Sequence, residues 1–461
     1  MNLFTVSLEK AGKKPLYEQL YSYVVEEILN GNLKKGEKLP SKKLLASHLQ
    51  ISVITVENAY NLLMQEGYIF SRPRSGYYIG DIESTVRICG PSEVKKQHSP
   101  EPEYKFDFRT NAVDISSFPY ATWAKLSKET IYNNPGLLVK CDARGDDGLR
   151  KALAKYLHEF RGVNCDSRQI IVGAGIEYLL MLLDEMLDKK SIIAVENPCY
   201  PKTCKIFRNA GRNVRAIDID ENGISVNELE KSGADLVYIT PSHQFPTGCT
   251  MPAGRRIKLL KWAAGKNSRY IIEDDYNSEF NFSGRPIPSL QGLDKYEKVI
   301  YIGTFSRILA PSFRIAYMVV PYHLLKITQE MFGTYSSTVS RFEQNTLKEF
   351  IERGFLSRHI NRVKNIYKRR RELILSELSS LAEIKGFEFC EKNAGSHSLI
   401  EVSGILASDF INKSKSRGVR FYAADYYYIN GCTDNKFLIG YGNMSDREII
   451  SAFDQLRNLD F

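Results

Sequence analysis

The segment GTFSRILAPSFR, residues 303–314, concentrates side chains that bind phosphate groups. Thr304 and Ser306 offer hydroxyl groups, and Arg314 offers a guanidinium fork that can contact two phosphate oxygens at once. Arg307 lies between them and adds a second guanidinium. The segment continues the apolar run VIYIG (299–303), which has the length and composition of a buried strand. We therefore expect an anion site where this strand ends.

A second candidate for the same chemistry is VGAGIEYLL, residues 172–180. It reads as the end of a strand followed by a helix. Gly173, Ala174 and Gly175 are small, so backbone N–H groups at the positive end of the helix can approach a phosphate. The same small residues also suit close packing of a strand on a helix, so this segment alone is a weak indication.

A carboxylate follows the apolar run YIIED, residues 270–274. The carboxyl ends of parallel strands form the edge at which α/β sheets bind their ligands. Asp274 is therefore a candidate site residue. The alternative is a solvated loop in which EDDY supplies carboxylates that cap a helix.

The elements that position these residues alternate between strand and helix from about residue 107 onward. Continuous apolar strands between amphipathic helices predict a mostly parallel α/β sheet covered on both faces. After a helical stretch at residues 341–381, four shorter runs predict a small C-terminal α+β lobe from about residue 384. The strand candidates before that stretch are residues 169–173, 192–195, 214–217, 236–240, 270–274, 299–303 and 316–320.

Residues 1–80 form a separate unit with a different pattern. Its first helix has apolar residues on one face at 16, 20, 24, 28 and 29, and two further helices begin after the N-caps Ser41 and Ser52. GYIFSRPRSGYYI then predicts a β-hairpin. Three helices and a hairpin make a winged helix-turn-helix, whose second paired helix enters the DNA major groove while the hairpin reaches the flanking backbone or minor groove. The alternative is a solvated interaction module.

The composition of the chain limits the classes of protein to which it can belong. A chain of 461 residues with 43% apolar and 25% charged residues is globular and long enough for two or three domains. The polar, proline-containing residues 81–106 predict a linker, which leaves residues 107–461 as the large domain. Eight cysteines without a metal-binding spacing indicate reduced thiols and no metal site, and the net charge of +9 permits a nucleic-acid partner. Without a signal or spanning segment, we expect a soluble, cytoplasmic protein with no membrane partner.

The N-terminal unit resembles the GntR family of bacterial regulators over LPSKKLLASHLQISVITVENAYNLLMQEGYIFSRPRSGYYI. The resemblance implies binding to double-stranded DNA. Many relatives carry an arginine just after the position of Ser52, whereas this chain has Val53 and Ile54, so base reading is expected to rely on polar neighbours, the wing and apolar contact with thymine methyls. The implied DNA-binding residues are Ser41, Lys42, Lys43, Ser52, Thr55, Asn58, Arg72, Arg74 and Gly76.

The large domain resembles fold-type I pyridoxal-phosphate (PLP) enzymes, the aminotransferase architecture. Behind a GntR-like head, the motifs CDARGDDGLRKALAKYL, VGAGIEYLL, ENPCYP, YITPSHQFPTG, IIEDDYNSEF and GTFSRILAPSFRIAY resemble the MocR subfamily over nearly the whole chain. By that resemblance Asp274 pairs with the pyridinium nitrogen, Tyr276 bonds the ring hydroxyl and Tyr200 stacks on the ring. The implied cofactor residues are Gly173, Ala174, Gly175, Tyr200, Gln244, Asp274, Tyr276, Thr304, Ser306, Arg307 and Arg314.

Arg307 departs from the family at the position of the Schiff-base lysine. A guanidinium is delocalised and stays protonated, so it neither condenses with an aldehyde nor acts as a general base. No catalytic residue is therefore expected, and PLP would bind without a covalent bond. Three explanations stay open: a natural regulator that binds PLP non-covalently, a pocket reassigned to another anion, or an engineered lysine-to-arginine variant.

These observations favour a transcription regulator in which an aminotransferase-like domain senses PLP or an amine compound joined to it. The arginine that usually clamps a substrate carboxylate is replaced by Leu438 and Ile439, so Lys202 is the candidate for an effector carboxylate. Fold-type I proteins are typically dimers, and two heads predict an operator with two half-sites. The alternatives are a working aminotransferase with an accessory DNA-binding domain, of which this chain is an inactive variant, and a DNA-binding dimer without a ligand.

Overall fold

The computed structural model describes residues 6, 8, 14–81, 104–280, 282, 288–333, 335–395, 397–431 and 435–460, without the side chains of 392–394. The chain divides into two compact units, Met1–Glu101 and Pro102–Phe461. Most of the predicted linker, residues 82–103, lies outside the described residues. Phe106, the last residue of the predicted linker, belongs to a strand of the second unit.

The first unit consists of three helices and a hairpin: α1 (Leu16–Leu29), α2 (Lys42–Leu49), α3 (Val53–Gln65), β1 (Ile69–Arg72) and β2 (Gly76–Ile79). The hydroxyls of Ser41 and Ser52 accept hydrogen bonds from the first turns of α2 and α3, as expected of N-caps. Gln50 ends α2 in the left-handed conformation, which turns the chain sharply between the paired helices. One face of each helix packs into a core around Val56, Tyr60 and Leu63. This is the winged helix-turn-helix arrangement.

The second unit begins with a short strand and alternates helices with strands. Up to the middle of the chain its elements are β3 (Phe106–Asp107), α4 (Tyr120–Asn133), α5 (Asp147–Arg161), β4 (Ile170–Ala174), α6 (Ile176–Met186), β5 (Ile193–Asn197), α7 (Pro201–Asn209), β6 (Val214–Asp220), β7 (Gly223–Ile224), α8 (Val226–Lys231), β8 (Leu236–Ile239) and α9 (Ala253–Ala264). The remaining elements are β9 (Tyr270–Asp274), β10 (Val299–Thr304), β11 (Ile315–Val319), α10 (Leu325–Phe332), α11 (Arg341–Glu352), α12 (Phe355–Lys385), β12 (Glu388–Ala394), β13 (His397–Ser403), α13 (Ala407–Ser416), β14 (Val419–Arg420), β15 (Tyr422–Ala423), β16 (Lys436–Gly440) and α14 (Asp446–Arg457).

The large sheet has the order β4-β11-β10-β9-β8-β5-β6-β7. The central pairings from β10 through β9, β8 and β5 to β6 are parallel, while β11 runs antiparallel to both of its neighbours. Apart from β6, which is mostly half-buried or exposed, the strands are buried, and separate apolar clusters lie on the two sides of the sheet. The predicted mostly parallel α/β fold is confirmed. Because β4 and β10 both oppose β11, their carboxyl ends reach the same edge as those of β5, β8 and β9.

The C-terminal lobe contains a four-stranded sheet of order β12-β13-β16-β15. Its core gathers α12, α13 and α14 against this sheet, and β3 joins it by pairing with β14. The helical stretch predicted at residues 341–381 is in fact two helices, α11 and α12. Gly354 separates them with a φ of 70°, a left-handed conformation that suits glycine and stops the first helix. Among the described residues, no helix combines the length and apolar character needed to cross a bilayer.

Candidate functional site

A cavity of about 250 Å³ lies beyond the carboxyl ends of β5, β8, β9 and β10. Parallel strands place the residues that follow them at one edge, so distant segments of the chain converge there. Eight residues predicted from the sequence line it together: Tyr200, Lys202, Asp274, Tyr276, Thr304, Ser306, Arg307 and Arg314. The roles assigned to them stay predictions, but their convergence identifies the candidate site.

Asp274 and Tyr276 give the cavity unpaired buried polar atoms. Tyr238 donates its hydroxyl to Asp274 Oδ2, whereas no described group hydrogen-bonds to Asp274 Oδ1 or to the Tyr276 hydroxyl. Burial raises the pKa of Asp274 to about 7, against the opposing effects of the Tyr238 hydrogen bond and the Arg307 charge. A buried polar atom without a partner is costly. Both atoms are therefore well suited to hydrogen bonds with a ligand.

The neighbouring carboxylate, Asp275, lies on the opposite side of the chain and is braced by protein groups. Arg161 Nε donates to Asp275 Oδ2 over 2.6 Å, and the Tyr301 hydroxyl donates to the same carboxylate. Both members of the Arg161–Asp275 ion pair are almost fully buried. This contact fixes the loop after β9, so that Asp274 faces the cavity while Asp275 anchors the backbone.

The predicted anion-binding groups also lie at the cavity. Thr304 Oγ1 is 3.1 Å from Ser306 Oγ, and Arg314 donates to the Ala174 carbonyl over 3.4 Å. The first turn of α6, whose N-cap Gly175 provides no side chain, borders the same space. A Cβ on Gly175 would collide with the Arg314 guanidinium, so this glycine lets the arginine reach the helix N-terminus.

At this end of the cavity, the carboxylate of Glu177 pairs with the basic side chains. Arg314 Nη2 lies 2.6 Å from Glu177 Oε2, and Lys202 Nζ lies 3.7 Å from Glu177 Oε1. Partial burial raises the pKa of Glu177, but the hydrogen bond from Arg314 and the charge of Lys202 outweigh it and lower the value overall. Glu177 is therefore ionised near neutral pH and competes with any anion for the two cations.

Arg307 is tied to a segment almost two hundred residues away. Its guanidinium donates to the Thr110 carbonyl and, over 3.2 Å, to Asn111 Oδ1. It also lies 5.8 Å from the centre of the Tyr276 ring, within cation–π range. These contacts place a permanent positive charge in the cavity wall beside Tyr276 and Asp274, where it cannot serve as an amine nucleophile.

Four predicted cofactor residues do not line the cavity: Gly173, Ala174, Gly175 and Gln244. A side chain on Gly173 would collide with Tyr178 and Leu179 of α6, so this glycine serves the strand–helix packing that was its alternative explanation. The Ala174 N–H donates to Thr338. Gln244 is buried, and its amide donates to the carbonyls of Pro198 and Phe245 over 2.8 Å each. It supports the loop that carries Tyr200.

Sequence reasoning missed twelve of the twenty lining residues, among them the polar or aromatic Asn111, Glu177, Glu196, Tyr238 and Phe245. Glu196 resembles Asp274 in its chemistry. Its Oε2 accepts from the N–H and hydroxyl of Thr240, its Oε1 has no described partner, and burial raises its pKa to about 7. A carboxylate at the end of the apolar run IIAV was the available signal, equivalent to the one that identified Asp274. No pattern in the neighbouring sequence identifies Asn111 or Phe245 as site residues, because the tertiary fold alone brings them to the cavity.

The first unit presents the solvent-facing side of α3 as a candidate DNA surface. Val56 and Tyr60 face its core, whereas Ile54 is 68% exposed and Asn58 lies one turn further along the same exposed side. The Thr55 hydroxyl is 2.8 Å from that of Ser52, so both belong to the N-cap. Lys42 pairs with Glu57 over 2.5 Å, which ties α2 to α3, while Lys43 is exposed.

The turn of the hairpin presents two arginines. Arg72 lies 4.9 Å from the ring centre of Tyr78, and the Arg72 carbonyl accepts from the Ser75 N–H over 3.0 Å. Arg74 occupies the third position of this turn with a φ of 59°, a conformation that side-chain-bearing residues adopt at a cost. The wing tip therefore holds Arg74 outward in a conformation that glycine would adopt more easily.

Comparison with known families agrees with this division of the chain. Residues 16–79 match the family described as bacterial regulatory proteins, gntR family. Residues 105–449 match the family described as aminotransferase class I and II. The second match covers most of the chain and contains every lining residue of the cavity.

Whole proteins of the same organisation are similar to this chain. The HTH-type transcriptional regulator YdeL of Bacillus subtilis is 39% identical, covering 96% of each chain. The rhizopine catabolism regulatory protein MocR of Rhizobium meliloti is 29% identical over 98% of this chain and 95% of its own. Kynurenine aminotransferase of Pyrococcus horikoshii has the same fold, with a TM-score of 0.67, 24% identity and coverage of 78% and 91% of the two chains. The chain therefore belongs to the MocR subfamily of GntR-type transcriptional regulators, DNA-binding proteins with an aminotransferase-like domain.

Proposed function

We propose that this regulator binds PLP non-covalently as an effector and does not turn over amino acids. The observation that carries the proposal is the composition of one cavity. It combines unpaired polar atoms on Asp274 and Tyr276 with the hydroxyls and guanidinium of Thr304, Ser306 and Arg314, and has Arg307 in place of an amine. An aminotransferase-like domain implies affinity for PLP.

The residues present fit this cofactor. Asp274 Oδ1 would accept from the ring N–H, and the Tyr276 hydroxyl would donate to the ring oxygen, which satisfies both unpaired atoms. Thr304, Ser306 and Arg314 would hold the phosphate, with Glu177 displaced from the arginine. When bound, PLP supplies an electron-withdrawing ring and an aldehyde. Because Arg307 provides neither a nucleophilic amine nor a base, the chain holds this group without using it in turnover.

The lysines near in sequence do not replace the missing amine. Lys298 precedes β10, at the amino end of the strand that carries Thr304 at its carboxyl end, and its ammonium donates to the Asn267 carbonyl over 2.9 Å. Lys202 is the one lysine among the described lining residues, and Glu177 holds it. Lys202 remains our candidate for contact with the carboxylate of an amino-acid effector.

Reading an operator with two half-sites requires a dimer, and one surface of the second unit supports self-association. Exposed apolar side chains accumulate at the end of α4 and in the turn after it: Ile131, Tyr132, Leu138 and Val139. Exposed patches of this kind mark protein interfaces. We therefore propose a homodimer in which two heads contact two half-sites, with the ligand shifting the population of head arrangements.

PLP titration of the full chain tests the proposal. We expect a change in cofactor absorbance and a rise in melting temperature, with no adduct after borohydride reduction and no conversion of amino donors to keto acids. Arg307→Lys should create an adduct at residue 307, whereas the control Arg314→Lys should lose affinity. Turnover by the unaltered chain would establish the aminotransferase alternative. A wild-type chain with neither spectral nor thermal response would establish the regulator without a ligand.

A further inference from the structure

The start of α7 is held by two cysteine side chains. Cys199 directly precedes Tyr200, the N-cap, and Cys204 lies on the first full turn of the helix. Residues at these two positions commonly pack against each other as a hydrophobic staple that fixes the entry of the chain into a helix. Here the staple consists of two thiols, and their sulfur atoms lie 3.2 Å apart.

The two thiols differ in their surroundings. Both are buried, but Cys199 lines the cavity, whereas Cys204 does not. The Cys199 N–H donates to the Tyr427 carbonyl over 3.0 Å, which fixes its backbone. The hydrogen bond from Cys199 lowers the pKa of the Cys204 thiol, and the charge of Arg208 acts in the same direction. Two thiols, of which that of Cys204 has the lowered pKa, thus face each other at the cavity wall.

We propose that Cys199 and Cys204 form a reversible disulfide when a peroxide enters the cavity. One thiol sulfur attacks a peroxide oxygen, the O–O bond breaks, and the cysteine becomes a sulfenic acid while one water leaves. The second thiol attacks that sulfur, the S–O bond breaks, and a second water leaves as the S–S bond forms. The two thiols lose two electrons and two protons, and hydrogen peroxide is reduced to two waters.

The consequence follows from the position of the pair. The bond would cross-link the residue before Tyr200 to the first turn of α7, which also carries Lys202. Tyr200 and Lys202 both line the cavity. Oxidation would therefore fix one wall of the site, and this wall would respond to the redox state of the cell. The modification site is independent of whether PLP is the ligand.

Peptide mapping of the native full chain tests this proposal. The protein is treated with hydrogen peroxide, unfolded in the presence of N-ethylmaleimide, which alkylates the remaining free thiols, and digested with trypsin. Because trypsin cleaves after Lys202, the disulfide would join peptides 191–202 and 203–205. We expect this linked pair, loss of alkylation at both Cys199 and Cys204, and its recovery at both positions after treatment with dithiothreitol.

Two variants make the result specific. Cys204→Val keeps an apolar staple and should abolish the linked peptides, whereas Cys249→Ser removes another buried thiol and should leave them unchanged. Cys390 is exposed and reports that the oxidant acted. Oxidation of Cys390 while Cys199 and Cys204 both remain alkylatable in the wild type would overturn the proposal, and so would irreversible oxidation of Cys199 without a linked peptide.

Discussion

At the scale of single residues, the candidate site combines polar atoms that have no described hydrogen-bond partner with charged groups that already form ion pairs. Asp274 Oδ1 and the Tyr276 hydroxyl are buried without a described partner. Arg314, in contrast, is engaged by Glu177. Ligand binding thus requires both the formation of new hydrogen bonds and the exchange of an internal carboxylate for an external anion.

Glu177→Gln should strengthen binding of PLP by roughly tenfold, because a phosphate at Arg314 would no longer meet a carboxylate within the same cavity. The amide keeps the shape of the side chain. Isothermal titration calorimetry measures the effect, and Glu185→Gln, an exposed residue on the same helix, is the matched control. Unchanged or weaker binding would show that Glu177 does not compete with the phosphate.

Asp274 makes stability depend on pH. Its pKa rises from 3.8 to about 7 because the carboxylate is buried, so between these values the folded state holds a proton that the unfolded state has lost. Stability therefore falls as pH rises through this range. Asp274→Asn should remove this contribution, so that the wild type loses a few kcal/mol relative to the variant between about pH 4 and about pH 7.

Denaturant unfolding of the ligand-free chain at several pH values measures this difference. Glu221→Gln changes an exposed carboxylate and should run parallel to the wild type. If the free energies of unfolding of the wild type and Asp274→Asn differ by a constant amount across the range, Asp274 is already ionised in the folded protein.

At the scale of elements, the hairpin of the first unit joins local strain to a functional position. Arg74 adopts a φ of 59° in a turn closed by the hydrogen bond between Arg72 and Ser75. Such strain at an exposed arginine suggests that the side chain is retained for its contacts and not for the stability of the turn.

Arg74→Gly should stabilise the unit by about 0.5–1 kcal/mol, because glycine adopts positive φ freely. It should weaken binding to DNA of any sequence and reduce the slope of log affinity against log salt by about 1, as expected for one lost phosphate contact. Fluorescence anisotropy at several salt concentrations measures both. Arg74→Lys keeps the charge and should preserve the slope; an unchanged slope in the glycine variant would remove Arg74 from the DNA surface.

At the scale of the whole molecule, the proposed regulator needs two copies of the chain. The apolar side chains of Tyr132 and Leu138 are 75% and 78% exposed, a high value for residues of their size. Their exposure is accounted for if another copy covers them. The dimer would then bring two winged heads to one operator.

Leu138→Asp should therefore shift the chain from dimer toward monomer, because a buried carboxylate at an interface is strongly unfavourable. Sedimentation velocity measures the change, and Ile384→Asp, at an exposed apolar position near the end of α12, is the control. A dimer that persists in Leu138→Asp and dissociates in Ile384→Asp would place the interface elsewhere.

Properties that depend on neighbouring residues along the chain could be predicted from the sequence. Apolar runs and helix caps identified the α/β sheet and the winged head, because periodicity and capping are local. The chemistry of Arg307 follows from its side chain alone. The division of 341–381 into two helices was missed, although Gly354 was a visible signal.

Which side chains contact one another could not be predicted from the sequence and is seen in the folded chain alone. Glu177 reaches Arg314 across 137 positions of the chain, and Arg307 reaches Thr110 across 197. The Gln244 side chain hydrogen-bonds to the loop that carries Tyr200, whereas the neighbouring Phe245 lines the cavity. Such contacts depend on how strands order themselves in a sheet, and no spacing along the chain encodes that order. The side-chain types suited to a site are therefore visible in the sequence, whereas their pairing results from the fold.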